Sequence, residues 1–138
     1  KKIKFQDLGL KDVEACFDGG NISSDAGALI LREIDKARNF IKDFALCFTD
    51  YRNQELIEHS VEELLKQRIF GICLGYEDLN DHDDLRHDPL LATACDKQDP
   101  LGNNRENNLD KGKALAGKST LNRLELSGEG NISKHSGF

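Results

Sequence analysis

Glu55-Leu-Ile-Glu-His-Ser-Val-Glu-Glu-Leu-Leu-Lys-Gln-Arg-Ile-Phe-Gly-Ile-Cys73 decides the fold class. Its apolar residues Ile57, Val61, Leu64, Leu65, Ile69 and Ile72 recur every three or four positions, the spacing that places side chains on one face of an α-helix. Glu55, Glu58, Glu62, Glu63 and Lys66 fall largely outside that stripe. The stretch predicts a long amphipathic helix, weakened at Gly71 and stopped at Gly75. Arg68 breaks the pattern because it falls near the middle of the apolar stripe. A buried guanidinium needs a carboxylate or a phosphate. The two readings are an internal ion pair, with an acid such as Asp50, Asp78 or Asp81 as partner, and a contact to a DNA phosphate.

Toward the N-terminus, Val13 to Phe17 reads as a short strand, ended by the turn-forming Asp18-Gly19-Gly20. Ser23, Ser24 and Asp25 offer helix caps. The helix they start runs to about Arg38, with Ala26, Leu29, Ile30, Ile34 and Ala37 as its apolar face. Phe40 to Phe48 is a candidate short helix, and Asp50 to Gln54 a polar connection. Toward the C-terminus, Leu79 to His87 holds a helical turn capped by Asn80 or Asp81. Asp88-Pro89 starts the next helix, the acid as cap and proline at the first helical position. Gln98 to Asp110, with Pro100, Gly102 and several asparagines, reads as an exposed loop. Lys111 to Leu126 is predicted helical, broken at Gly117. The expected organisation is a strand-plus-helical domain over 1–102, a polar loop over 103–110, a basic helix-turn-helix-like segment over 111–126 and a flexible tail over 127–138. The fold class is mainly α with a short N-terminal strand.

Composition sets the outer bounds. The chain has 138 residues, 38% of them hydrophobic, enough for one core. No apolar run is long enough to span a bilayer and no secretory leader is visible, so a soluble, cytoplasmic protein without membrane contact is expected. Cys16, Cys47, Cys73 and Cys95 are too widely spaced for a disulfide framework, and reduced, mostly buried thiols are expected. The chain holds no methionine, which suggests a trimmed product or a fragment. The net charge of −6 argues against a surface that binds nucleic acid everywhere. Charge is uneven, however. Glu77 to Asp88 is strongly acidic, while Lys111 to Arg123 carries Lys111, Lys113, Lys118 and Arg123 and no acid.

Four patterns suggest chemistry. Gly112-Lys-Ala-Leu-Ala-Gly-Lys-Ser119 spells a nucleotide-binding P-loop, but a P-loop needs a buried strand before its first glycine, and Asn103 to Asp110 cannot form one. The acids from Glu77 to Asp88 lack the glycine bend and closing glutamate of a calcium loop and suit helix starts. His82 and His87 with Cys73 and Cys95 lack the close-spaced pairs of a zinc site. No metal-binding residue is therefore assigned. Leu115-Ala-Gly-Lys-Ser-Thr-Leu-Asn-Arg-Leu124 looks like the second half of a helix-turn-helix. There Lys118, Ser119 and Thr120 would meet phosphates, and Asn122 and Arg123 base edges. Its alternative is a surface helix docked through its leucines.

Several segments together resemble one family. They are Phe17-Asp-Gly-Gly-Asn-Ile-Ser-Ser-Asp-Ala-Gly27, Glu58-His-Ser60, Gln67-Arg68, Gly75-Tyr-Glu-Asp-Leu-Asn-Asp81, Leu85-Arg-His-Asp-Pro89 and Leu115-Ala-Gly-Lys-Ser-Thr-Leu-Asn-Arg-Leu-Glu125. Their order and spacing are similar to bacterial insertion-sequence transposases of the DDE domain group 1 kind. The resemblance implies a parent enzyme with an RNase H-like sheet. Three carboxylates there hold two Mg²⁺ ions that activate the attacking oxygen and stabilise the leaving one. It also implies transposon-end DNA as partner and a homodimer of the full-length protein. In such enzymes the first carboxylate lies on a strand beyond the segment matched by Leu121 to Glu125, so no catalytic residue and no cofactor is assigned within this chain. The expected role is to assist transposition by binding transposon-end DNA or a partner subunit. The alternatives are a helical module that packs on a catalytic core and a P-loop nucleotide-binding piece.

Overall fold

The computed structural model describes residues 2–6, 9–16, 18–127 and 131–132. An antiparallel pair opens it, β1 (Lys2–Lys4) against β2 (Glu14–Cys16), with Ile3 opposite Ala15. β2 lies in the stretch expected to be extended; Phe17, its expected last residue, lies outside the described residues. Helices α1 (Gly27–Arg38) and α2 (Phe40–Ala45) follow, then β3 (Thr49–Asp50), α3 (Val61–Cys73), a 3-10 turn Leu79–Asp81, α4 (His82–Leu85) and α5 (Pro89–Ala94). After a long connection with a second 3-10 turn, Asn108–Asp110, come α6 (Lys118–Glu125) and β4 (Asn131–Ile132), which runs parallel to β3. The rest of the expected flexible tail lies mainly outside the described residues. The architecture is mostly helical with a short strand pair at the N-terminus.

α3 is the axis. It starts at Val61 rather than Glu55 because Ser60 and Glu63 close a capping box. The Ser60 hydroxyl accepts the Glu63 N–H at 3.2 Å, and the Glu63 carboxylate accepts the Ser60 N–H at 3.0 Å. Leu64, Leu65 and Phe70 enter the core with Ile41 of α2, Leu85 of α4, Leu91 and Ala92 of α5, and Leu121 and Leu124 of α6. The inward face is broader than the predicted stripe. Lys66, expected outside, is buried, with its ammonium 2.7 Å from Glu62 and 2.8 Å from Asp96. Ile72, expected inside, is largely exposed.

α1 inverts its prediction. Its small Ala28 and its Asp35 face inward, while Leu29, Ile30 and Ile34 are exposed. The inward side is set by close packing on α5 and by the Asp35 carboxylate, which accepts the Ile41 N–H at 2.9 Å across the left-handed Asn39. Ser23, Ser24 and Asp25 do not cap α1 through their side chains. Ser23 accepts the Asp25 N–H and donates to Asp88 at 2.7 Å, while Asp25 accepts the Tyr76 hydroxyl at 2.8 Å. The acids downstream do cap: Asp78 accepts the Asn80 N–H, and Asp88 accepts those of Leu90 and Leu91. Cys95 is buried, but Cys16, Cys47 and Cys73 are exposed, against the expectation of mostly buried thiols.

Of the stretch expected to be helical from Lys111 to Leu126, only α6 is helix; residues 111–117 are turn and extended chain. The cause is Gln67. Its amide nitrogen donates to the Ala116 carbonyl at 2.8 Å and its amide oxygen accepts the Ala116 N–H at 3.0 Å. A side chain thus takes both backbone groups that a helix would have used. Within 111–126, α6 is the one helix, and it begins directly after the break at Gly117.

Candidate nucleic-acid interface

The geometry around α6 begins with that buried amide. Because the Ala116 backbone fixes which end of the Gln67 amide is the donor, the nitrogen also donates to His82 Nδ1, 3.1 Å away. His82 therefore accepts at Nδ1 and carries its proton on Nε2. This ring is fully buried against Gly71, and burial holds its pKa below the usual range. The network locks the chain just before α6 onto the middle of α3. The next residue, Gly117, is buried too. A Cβ there would lie 2.9 Å from Arg86 Nη1 and 3.0 Å from Asp83 Oδ1, so only glycine fits without displacing them.

Asp83, not a residue of the local sequence, caps α6. Its Oδ1 accepts the Lys118 N–H at 3.0 Å, and this bond holds the carboxyl below the usual aspartate range. Leu121 and Leu124 are buried, so the helix docks through its leucines. The five expected contact residues then divide. Lys118, Ser119 and Asn122 are exposed, and Thr120 and Arg123 turn sideways into a cleft. The Lys118 ammonium is already engaged, 3.0 Å from Asn80 Oδ1 and 3.6 Å from Asp83.

That cleft, about 370 Å³, brings four arginines together: Arg52, Arg86, Arg105 and Arg123. Three of them lie outside the predicted set. Arg52 belongs to the polar connection after β3 and forms a two-pronged pair with Asp50, at 2.8 and 2.7 Å. Arg105 comes from the presumed exposed loop. It is nearly buried, donating to Glu58 and to the Lys113 carbonyl, each at 2.6 Å. Glu58 also accepts the Glu106 N–H, so the asparagine-rich loop is tied to the residues just before α3. Asp110 has three cations around it, Arg86 at 3.6 Å and Arg105 and Lys113 at 3.7 Å. His59, buried in the same wall, records the resulting field. Burial and then the charges of Lys97, Arg105, Arg86 and Arg52 push its pKa down to about 3.

Arg68 forms an internal pair with a carboxylate, but with an acid other than the three aspartates suggested. Its Nε is bonded to Glu125 of α6, and its other nitrogens donate to the Tyr76 and Glu77 carbonyls at 3.3 and 2.9 Å. Asp50, Asp78 and Asp81 are not its partners, because the inward face of α3 is rotated toward α6. Around the P-loop-like run, what precedes Gly112 is a 3-10 turn rather than a strand, and the Lys118 ammonium points to Asn80. His87 sits 3.1 Å from the Gly112 carbonyl.

The profile of the family described as transposase DDE domain group 1 matches residues 5–134. That span is nearly the whole chain, and the protein belongs to this family. No curated protein and no solved structure matches it. Such transposases typically use a divalent metal. Among the described residues no three His, Cys, Asp or Glu side chains gather so as to hold an ion, so these residues do not fit a Mg²⁺ centre. Among them, too, no helix is long and apolar enough to cross a membrane.

Proposed function

We propose that this part of the transposase serves DNA transposition by binding transposon-end DNA, with α6 facing the duplex. The observation that carries this reading is the gathering of Arg52, Arg86, Arg105 and Arg123 along one cleft in a chain of net charge −6. Arginines gathered on one face are what phosphate contacts need, although Glu58, Glu106 and Asp110 line the same cleft and offset much of their charge. Beside the cleft, Ser119 and Asn122 stand exposed on the same helix, and asparagine and arginine are suited to base edges. Lys118, half engaged by Asp83, contributes less than an unpaired lysine would. The Mg²⁺-dependent chemistry and the homodimer are assigned to the full-length enzyme.

The test is titration of end-sequence and scrambled duplexes at several salt concentrations. Arg123→Ala and Asn122→Ala are expected to weaken binding to the end sequence by about 1–3 kcal/mol. Lys118→Ala is expected to weaken binding to both duplexes and to lower the salt slope by less than about one unit. Equal affinity of all the proteins for both duplexes would assign α6 to packing. A second reading, docking on a catalytic core or partner subunit, is favoured by a separate observation: Leu29, Ile30, Ile34 and Phe40 are exposed on α1 and α2. Substituting serine at Ile30 and Ile34 would weaken assembly and leave DNA titrations unchanged if both readings hold.

A further inference from the structure

Arg86 is the least satisfied charge among the described residues of the cleft. Its side chain is only 19% exposed, yet its guanidinium donates no hydrogen bond to any described residue. Its nearest carboxylate, Asp110, is 3.6 Å away and is shared with Arg105 and Lys113, each at 3.7 Å. Arg86 Nε and Arg105 Nε are both buried without a partner. A guanidinium has five N–H donors in a planar fork, and leaving it largely desolvated with only a long, shared ion pair is costly. Among the nearby acids, Asp83 acts on it through charge alone, without a hydrogen bond, and Glu106 also lines the cleft. Glu58 is engaged by Arg105 and the Glu106 N–H, and Asp50 is engaged by Arg52. Arg86 is therefore left without a carboxylate that accepts a hydrogen bond from it.

The shape matches that missing acceptor. Gly117 has no side chain, and Arg86 Nη1 lies within 2.9 Å of where a Cβ would sit, beside the open cleft. Thr120, one turn into α6, adds a hydroxyl donor to the lining, and Arg123 lies one turn further along. From these observations we infer that the cleft is a phosphate site, in which Arg86 and the Thr120 hydroxyl hold the oxygens of one phosphate group and Arg123 flanks it. The shared chemistry is a tetrahedral phosphate anion, supplied either by a phosphodiester of a nucleic-acid strand or by free phosphate. The first source rests on the DNA-binding reading above, and the second does not. A fork of N–H donors fits paired phosphate oxygens better than a point charge does.

The experiment follows the arginine Nε–H signals of the ¹⁵N-labelled chain during titration with inorganic phosphate, a short oligothymidylate and a duplex, each at fixed ionic strength. Wild type, Arg86→Gln, Thr120→Ala and Lys118→Ala are compared, with unfolding midpoints taken to confirm that each is folded. Saturable shifts in wild type, weakened at least about 10-fold by Arg86→Gln and less by Thr120→Ala, are expected, since about 1.4 kcal/mol corresponds to a factor of 10. If the duplex binds and Lys118→Ala weakens it while Arg86→Gln and Thr120→Ala leave it unchanged, the DNA reading stands and the phosphate site is overturned. If no nucleic acid binds but inorganic phosphate gives shifts that Arg86→Gln abolishes, the site stands with free phosphate as its source and the DNA reading falls. Absence of saturable shifts with all three ligands overturns the site.

Discussion

α3 and α1 are close in length and both read as amphipathic on paper, yet they treat their polar and apolar residues in opposite ways. α3 draws Lys66 and Gln67 into the interior and gives each of them partners. α1 leaves Leu29, Ile30 and Ile34 outside and turns Ala28 and Asp35 inward. The difference shows what a period can and cannot predict. A 3.6-residue repeat identifies a helix, but the inward side is chosen by what the neighbouring elements demand. α3 has neighbours all round, including a stretch of backbone at Ala116 that needs a hydrogen-bonding partner. α1 meets α5, where a small residue permits close approach, and has little above its apolar stripe.

Three variants would break or sharpen this contrast. The largest effect is expected at Gln67. Replacing it with leucine keeps the bulk but strands the buried N–H and C=O of Ala116, at about 1–3 kcal/mol for each unsatisfied group. Gln67→Leu should therefore lower the urea midpoint by an amount worth about 3 kcal/mol with an unchanged m-value; an unaltered midpoint would mean that water satisfies Ala116.

A smaller effect concerns His59. Its pKa in the folded protein, about 3, lies below the ordinary histidine value of 6.5. The unfolded chain thus binds more protons than the folded one between those values. The stability tied to the neutral ring is complete above pH 6.5 and is lost as pH falls through the window toward 3. Between pH 7 and pH 5 the loss should be about 2 kcal/mol. His59→Gln should flatten that slope in urea unfolding series, and an unchanged slope would place the ring in water. The smallest effect belongs to α1, where the Ile30→Ser, Ile34→Ser double variant should stay within about 0.5 kcal/mol of wild type. A loss of several kcal/mol would show that the stripe is covered in the isolated chain.

The legible parts of the sequence were those whose causes are local. The cap at Asp88 with Pro89, the stop at Gly75 and the helical nature of 61–73 depend on residues within one turn of each other, and all three are where the pattern put them. The Ser60–Glu63 box was present in the sequence as well, and weighing it above the apolar period would have moved the start of α3 to Val61. What stayed hidden depends on distant contacts. Ala116 is kept out of a helix by a residue 49 positions away, and α6 is capped by one 35 positions away. The cleft was half legible. Thr120 and Arg123 stood out in a basic stretch, but Arg52, Arg86 and Arg105 are scattered through segments read as linker, turn and loop. Only their pairing with Asp50, Asp110 and Glu58 makes them a wall.

Gly117 carries a consequence for the order of assembly. α6 has eight residues, too few to persist as a helix in water without support. Its support is Asp83 at its first N–H, and Gln67 on the residue just before Gly117. Both lie on parts of the chain made much earlier. During synthesis α3, α4 and α5 can pack before Ala116 emerges, with the Gln67 amide still solvated and the Arg86 guanidinium still facing open solvent. The arrival of Gly117 changes both at once: the amide finds its backbone partner and the guanidinium acquires a floor. The arginine wall is thus completed when α6 docks. A ribosome-bound chain stopped before that point would lack Leu121 and Leu124 of the core and the α6 side of the cleft.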